Sequence, residues 1–450
     1  MESEGSSLPR ELTTLNVFSV VFGSIIGWGV FTLTPVWLSS SGPWGVAIAA
    51  YLSVLLLLPI ALSYNFMTVK HPRVGGEFEW AYVFLGRSSA FFVGWWLLLS
   101  YTSIIALNAT AFPLWLKVFI PNAVDYIPIY IVGEYTVSLG WLVASSTLVI
   151  VFTVINGFGV RISGMAQTLV TFILISTGLF FITTSFLLGD VRNSWNPSPW
   201  SLNSTPVLSV FRWVAIAPWA FLGFNSIPQV IEEYRGKPAE SVKALLTGLL
   251  VGATFYAFIT VASTLSTPWD ALTKVDLPTI YTAEKLTGQV GVVLLSAGAL
   301  AGICSGINGF FLMSSRLAYA MALRKLLPES FSEINPQYRV PRKAILAVGL
   351  AALTATFLGR ALLTRFVRIA SFGVVIAYLF TGLTHLKTSE TKLEKLISVA
   401  TLANALFFLM LLTTLALELY EKVGITVYFI ASLITYGIVK LKERKKRIYT

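Results

Sequence analysis

Charge is scarce in this chain: Asp, Glu, Lys and Arg make up 12% of its 450 residues. A soluble domain carries about 25%, so a water-exposed globule is excluded. A single cysteine, Cys304, rules out an internal disulfide, and its place inside an apolar run reads as a small packing residue. Histidine occurs only at 71 and 385, so no metal-ligand pair stands at useful spacing. Acid, base and imidazole side chains are almost missing from the apolar stretches, which argues against a membrane-embedded enzyme. No phosphate-cradling glycine loop is found, and no cleavable leader is expected: MESEGSSLPRELTT is polar, and the first apolar run is a full span.

What is present is apolar: 56% hydrophobic residues, mean hydropathy +0.77. Runs of about 20 such residues cross a bilayer as helices. Twelve are expected, at 14–38, 44–68, 78–119, 137–158, 162–188, 206–234, 240–265, 290–323, 341–358, 363–386, 394–416 and 423–440. A short interfacial helix is expected at 277–287. The fold class is therefore an all-α polytopic membrane protein. The net charge of +11 does not indicate nucleic acid, because the basic residues are scattered over short loops and the tail KLKERKKR. Their bias to one side places both termini in the cytoplasm, with the plasma membrane as the expected location. Arg360, Arg365 and Arg368 are discordant with that bias.

The first span, NVFSVVFGSIIGWGVFTLTP (16–35), carries Gly23, Gly27 and Gly29 at its centre. Each glycine costs a helix interior roughly 1 kcal/mol relative to alanine, so unwound backbone is expected there. At membrane depth such backbone must be buried in protein or line a cavity. Freed N–H groups near Gly27, Trp28 and Gly29 suit an anion, and freed carbonyls before them suit a cation. An α-amino acid carries both charges on one carbon. The sixth span, APWAFLGFNSIPQVIEE, repeats the pattern: Gly223 sits mid-span, Asn225 and Ser226 fit an N-cap, and Pro228 fits a first turn. Matching interrupted helices in two halves mark a transporter's midplane site. The expected organisation is a cytoplasmic segment 1–13, a five-helix repeat 14–188, an inverted five-helix repeat 206–386, two further helices within 394–440, and a basic tail 441–450.

Four motifs carry a family resemblance. GSIIGWGVF (23–31) is similar to the glycine-rich broken first helix of the amino acid–polyamine–organocation transporters. HPRVGGEFEWAYVFLG (71–86) resembles the segment opening their third span, AFLGFNSIPQVIEEYRGKP (220–238) their sixth-span motif, and SRLAYAMALRKLLPESFSEINPQYRVP (315–341) the stretch ending their eighth. The resemblance covers about residues 14–386 and implies the leucine-transporter-type fold, a 5+5 inverted repeat plus two C-terminal helices. It implies that the substrate carboxylate meets backbone N–H groups of Gly27, Trp28 and Gly29. The amine would meet carbonyls near Ile25, Phe221 and Leu222. Trp219, Leu98, Thr102 and Phe310 would line the pocket.

The departures narrow the expectation. Trp28 replaces a small polar residue and should shrink the pocket. Asn225 replaces a common glutamate, and Leu174 stands near the place of a lysine used by some proton-coupled members. No cofactor is expected; coupling is left to a proton, to sodium at Ser305, Ser314 and Ser315, or to exchange. Those hydroxyls read equally as bonded to their own helix. Glu77, Glu79, Glu232, Glu233, Arg161 and Arg316 read either as surface ion pairs or as a cytoplasmic gate. The function expected is alternating-access transport of a small or apolar neutral amino acid, as symporter or exchanger. A polyamine or organic-cation transporter and a non-transporting sensor are the alternatives. The partners expected are the substrate and the bilayer; oligomeric state is not specified.

Overall fold

The computed structural model describes residues 8–133, 135–198, 206–275 and 277–449, with the side chains of 135 and 442–449 excepted. The start of segment 1–13 and the side chains of the basic tail from 442 lie outside the described residues.

The chain is helical almost throughout. The first span is α1 (Thr14–Ile26), and α2 (Gly29–Thr32) follows the break. Thr13 starts α1 through a reciprocal cap: its hydroxyl accepts from the Asn16 N–H (3.2 Å), and the Asn16 Oδ1 accepts from the Thr13 N–H (3.0 Å). Helix α3 (Thr34–Lys70) bends at Gly42, whose φ of 66° separates the end of the first span from the second. Helix α4 (Glu77–Leu85) leads across Gly86, at φ 90°, into α5 (Arg87–Ala109) and α6 (Phe112–Lys117). Glycine is needed at this bend, since a side chain strains at that φ.

A short α7 (Pro121–Val124) is followed by an antiparallel pair, β1 (Pro128–Val132) and β2 (Tyr135–Ser138). The sequence reading contained no hairpin here, although PIYIV and YTVS are rich in β-branched and aromatic residues. Then come α8 (Leu139–Gly157) and α9 (Val160–Leu188). The sixth span is fragmented into α10 (Pro206–Val214), α11 (Ala217–Ala220) and α12 (Ser226–Val230). Helix α13 (Ser241–Ala262) precedes α14 (Pro278–Leu323), which turns at Gly288 and so contains the expected short helix before its long one. The last are α15 (Arg342–Thr356), α16 (Gly359–Thr388), α17 (Lys392–Leu411) and α18 (Leu419–Tyr449).

Ten helical stretches among the described residues are long and apolar enough to cross a membrane, against twelve expected runs. The two shortfalls have different causes. The sixth run is cut into pieces of at most nine residues. The ninth, α15, has 15 residues, about 22 Å of helix against a hydrocarbon core of about 30 Å.

Helix α14 is the central post. It packs on α9 and α5 and touches α1 and α2 near the break. Glycine allows the closest of these approaches. A Cβ on Gly302 would collide with the Gly27 carbonyl oxygen, so α14 comes within backbone distance of the unwound stretch.

Candidate functional site

The two interruptions meet. Gly27 leaves the helix at φ 43°, ψ −150°. Gly223, at φ 142°, lies against residues 24 and 25, where an added Cβ would fall 2.7 Å from the Ser24 Cβ and 2.9 Å from the Ile25 nitrogen. One side chain ties the two together. The Tyr256 hydroxyl of α13 lies 2.5 Å from the Ile25 carbonyl oxygen and 2.8 Å from that of Ala220, and it donates to one at a time. Both carbonyls are freed by helix interruption, which leaves terminal C=O groups without internal partners.

Between the breaks lies a cavity of about 30 Å³. Ser24, Gly27, Trp28, Asn108, Trp219 and Phe310 are among its lining residues. A cavity of that size takes water and not an amino acid, so substrate needs the walls to part. Gly29, Ile25 and Tyr256 line it too. The Gly27 N–H is spent on the Gly23 carbonyl (3.1 Å). The donors suited to a carboxylate are therefore those of Trp28 and Gly29, at the start of α2 where a helix leaves its N–H groups unpaired. The Ser24 hydroxyl is buried with no hydrogen-bond partner.

Several expected lining residues stand elsewhere. Leu98 and Thr102 face a separate apolar cavity of about 370 Å³, shared with Ala318, Val348 and Phe366. At 3.6 residues per turn, Ile104, Leu107 and Asn108 lie on the opposite face of α5, and these reach the pocket. Leu222 is buried away from it, and the Phe221 ring packs edge-on against Tyr256 and Trp213. The sixth-span carbonyl at the junction belongs to Ala220, one residue earlier than expected. Sequence reasoning missed Tyr256; a lone tyrosine on an apolar helix carries no local signal.

The serines separate likewise. The Ser314 and Ser315 hydroxyls donate to the Phe310 and Phe311 carbonyls of their own helix (2.5 and 2.7 Å). Ser305 accepts from the Gln167 side chain (2.8 Å), whose nitrogen also donates to the Ser19 carbonyl (3.0 Å). Gln167 continues through Asn308 to Ser163 and Asn156. The side chains that α9 sends to the first helix are thus Gln167, Thr168 and Thr171, while Leu174 is a buried apolar residue two turns on from Gln167.

At the end carrying Arg10 and Lys70, two fully or largely buried acids meet arginines of α14 and of the residue that caps it. Glu233 and Arg316 form a two-pronged pair (3.0 and 2.8 Å), both fully buried. Glu79 pairs with Arg324, which also lies 4.5 Å over the Tyr82 ring. Arg324 was not among the expected gate residues. Glu232 accepts from the Val74 N–H (3.1 Å), and Arg161 is exposed and outside these pairs. Glu77, ahead of the third span, is buried. Its Oε1 accepts from Tyr64 (3.0 Å) and Asn225 (2.8 Å), and its Oε2 from Gln229 (2.8 Å). Burial raises its pKa to about 7 despite those donors. The carboxylate absent from position 225 is therefore supplied to Asn225 from position 77.

At the opposite end the discordant arginines each find a neighbour. The Arg360 guanidinium lies 4.0 Å from the centre of the Trp28 ring. Arg365 lies over Tyr420, and Arg368 pairs with Glu418 and Glu421. They are fixed by contacts rather than by the membrane charge rule.

Fold and site define a polytopic helical membrane protein built around two interrupted helices. Its relatives give the family. A family profile described as amino acid permease matches residues 12–439, and the chain belongs to that family. It is 27% identical over 385 residues to the vacuolar cationic amino acid transporter 4 of Arabidopsis thaliana, covering 82% of this chain and 62% of that one. It is 26% identical over 448 residues to the methylthioribose transporter of Bacillus subtilis (strain 168), covering 96% and 95%. It is 26% identical over 346 residues to the branched-chain amino acid permease BcaP of the same organism, covering 74% and 72%. The chain thus spans about three fifths of the Arabidopsis relative.

Proposed function

We propose that this protein is a secondary active transporter of small or apolar neutral amino acids, working by alternating access. The observation that carries the reading is the junction of the two breaks, where Tyr256 bridges the Ile25 and Ala220 carbonyls beside the N–H groups of Trp28 and Gly29. Helix ends there offer partial charges of both signs without burying an ion. The substrate carboxylate meets the start of α2, and its amine meets the freed carbonyls and the Ser24 hydroxyl. The proposed arrangement is the leucine-transporter type. Repeats 14–188 and 206–386 are inverted, 394–440 adds two helices, and both termini are cytoplasmic in the plasma membrane.

Substrate size follows from the walls. Trp28, Trp219 and Phe310 leave room for a modest side chain once the pocket opens. Arg360 over Trp28 places a fixed positive charge beside the site, which disfavours lysine or arginine as substrate although some relatives are named for cationic amino acids. The test is counterflow in proteoliposomes loaded with unlabelled amino acid. Labelled leucine or alanine should enter faster than labelled arginine or putrescine. Preferential entry of arginine or putrescine would replace the neutral substrate with a cation. No entry of any of them into folded protein would leave a sensor on this fold.

A further inference from the structure

The geometry points to Glu77 as the coupling site, a carboxyl group that takes up one proton with each substrate molecule from outside and releases it inside. The inference rests on the transporter reading above and names the ion that drives it. Three observations carry it.

First, Glu77 is solvated unlike its neighbours. Glu79 and Glu233 are each answered by an arginine. Glu77 is buried, and its hydrogen bonds come from a phenol and two amides, all neutral. A buried carboxylate balanced by dipoles alone is costly, so its neutral form is within reach. Second, its hydrogen bonds cross the seam that alternating access must open, between Glu77 at the head of the third span and partners on the second and sixth. Tyr64 belongs to α3, whereas Asn225 and Gln229 belong to the stretch after the second break. Asn225 Oδ1 also accepts from the Gly223 N–H (3.2 Å), so the side chain that holds Glu77 also holds the break. Third, an acceptor stands waiting. Gln229 Oε1 is buried with no partner. If the amide turns over, this oxygen accepts the O–H of a protonated Glu77 while the donor from Gln229 is withdrawn. The Tyr64 hydroxyl can likewise turn from donor to acceptor.

Only an O–H bond forms and breaks. Its consequence is mechanical: charge-assisted bonds across the seam become neutral ones, roughly half as strong. The groups facing Glu77 are Tyr64 from α3, Tyr378 from α16, and Asn225 and Gln229. Tyr101 of α5 reaches it through Asn225 (2.7 Å). None is charged at neutral pH. Of the other charges at this end, Glu79 is matched by Arg324, Glu233 by Arg316 and Lys70 by Glu390, and Glu232 is held by the Val74 N–H with Arg73 acting on it.

The experiment is uptake into proteoliposomes, with wild type, Glu77→Gln and Glu77→Asp compared in two assays. Wild type should concentrate its substrate about tenfold per pH unit when the outside is acidic, the limit for one proton per substrate. A protonophore should abolish this. Glu77→Gln should keep counterflow within about threefold of wild type and lose all concentrative uptake. Concentrative uptake by Glu77→Gln at the wild-type level would overturn the proposal, as would wild-type uptake driven by sodium and not by protons. Should Glu77→Gln not fold, Glu77→Asp decides: a displaced pH profile of uptake supports the assignment and an unchanged one overturns it. Absence of counterflow in wild type is a different failure. It removes the transporter reading itself, and the coupling site with it.

Discussion

The two ends of the bundle are closed by different physics. At the end carrying Arg10, closure rests on discrete charges: Glu233 with Arg316, Glu79 with Arg324, and Glu77 among neutral donors. At the other, Arg360 stacks on Trp28 beside the pocket. A buried ion pair is all or nothing, since losing one partner strands the other. The Arg360 guanidinium is buried as well, but a cation–π contact has no paired opposite charge to strand and weakens gradually as cation and ring part. The first end is therefore held by contacts that break as a unit, and the second by a contact that weakens by degrees.

Substitutions can break that contrast, and the largest effect belongs to the buried pair. Arg316→Met should destabilise the folded protein by about 3–5 kcal/mol, read as a lower thermal midpoint in detergent. Adding Glu233→Leu should restore most of it; a double variant as unstable as the single would mean that the pair does not act alone. Next comes the crossing of the breaks. Gly223→Ala meets both a φ of 142° and the Ser24 Cβ at 2.7 Å. Strain and overpacking together cost about 2–4 kcal/mol, so substrate binding by calorimetry should be lost while the helical signal survives.

Tyr256→Phe removes one hydroxyl from two carbonyls. Stranding a buried acceptor costs about 1–3 kcal/mol, so apparent substrate affinity should fall roughly tenfold; an unchanged affinity would detach Tyr256 from the site. The smallest effect sharpens the comparison. Arg360→Gln gives up a cation–π contact worth about 0.5–2 kcal/mol. Counterflow should quicken and arginine should compete better with leucine, whereas equal discrimination in both forms would remove Arg360 from substrate choice.

Sequence carried the breaks but not their neighbours. The glycines at 23, 27 and 29 and the Gly223–Pro228 stretch were legible because a helix interrupted at membrane depth leaves its signature in local composition. Gly302 packs against the Gly27 carbonyl itself, an approach that local composition does not mark. What stayed hidden depends on how one helix is turned toward another. Leu98 and Thr102 were placed at the pocket in place of Ile104 and Leu107, because rotation of α5 after Gly86 has no local code; Asn108, which read equally as path-lining or packing, does line it. Gln167 was passed over for Leu174 for the same reason. Asn225 read as the loss of a carboxylate, and only folding brings Glu77 across some 150 residues to stand beside it.

The backbone of residues 10–12 has a mechanical meaning. The N–H groups of Glu11 and Leu12 donate to the Glu233 carbonyl (both 2.9 Å), the Leu12 carbonyl accepts from the Arg235 N–H (2.9 Å), and that of Arg10 from the Arg235 side chain (3.2 Å). This strap fastens the polar lead-in of the first helix to the far end of the sixth. Whatever shifts Glu233 away from Arg316 must therefore drag residues 10–12 along or peel them off. Residues 10–12 are thus a lever arm on a fully buried ion pair.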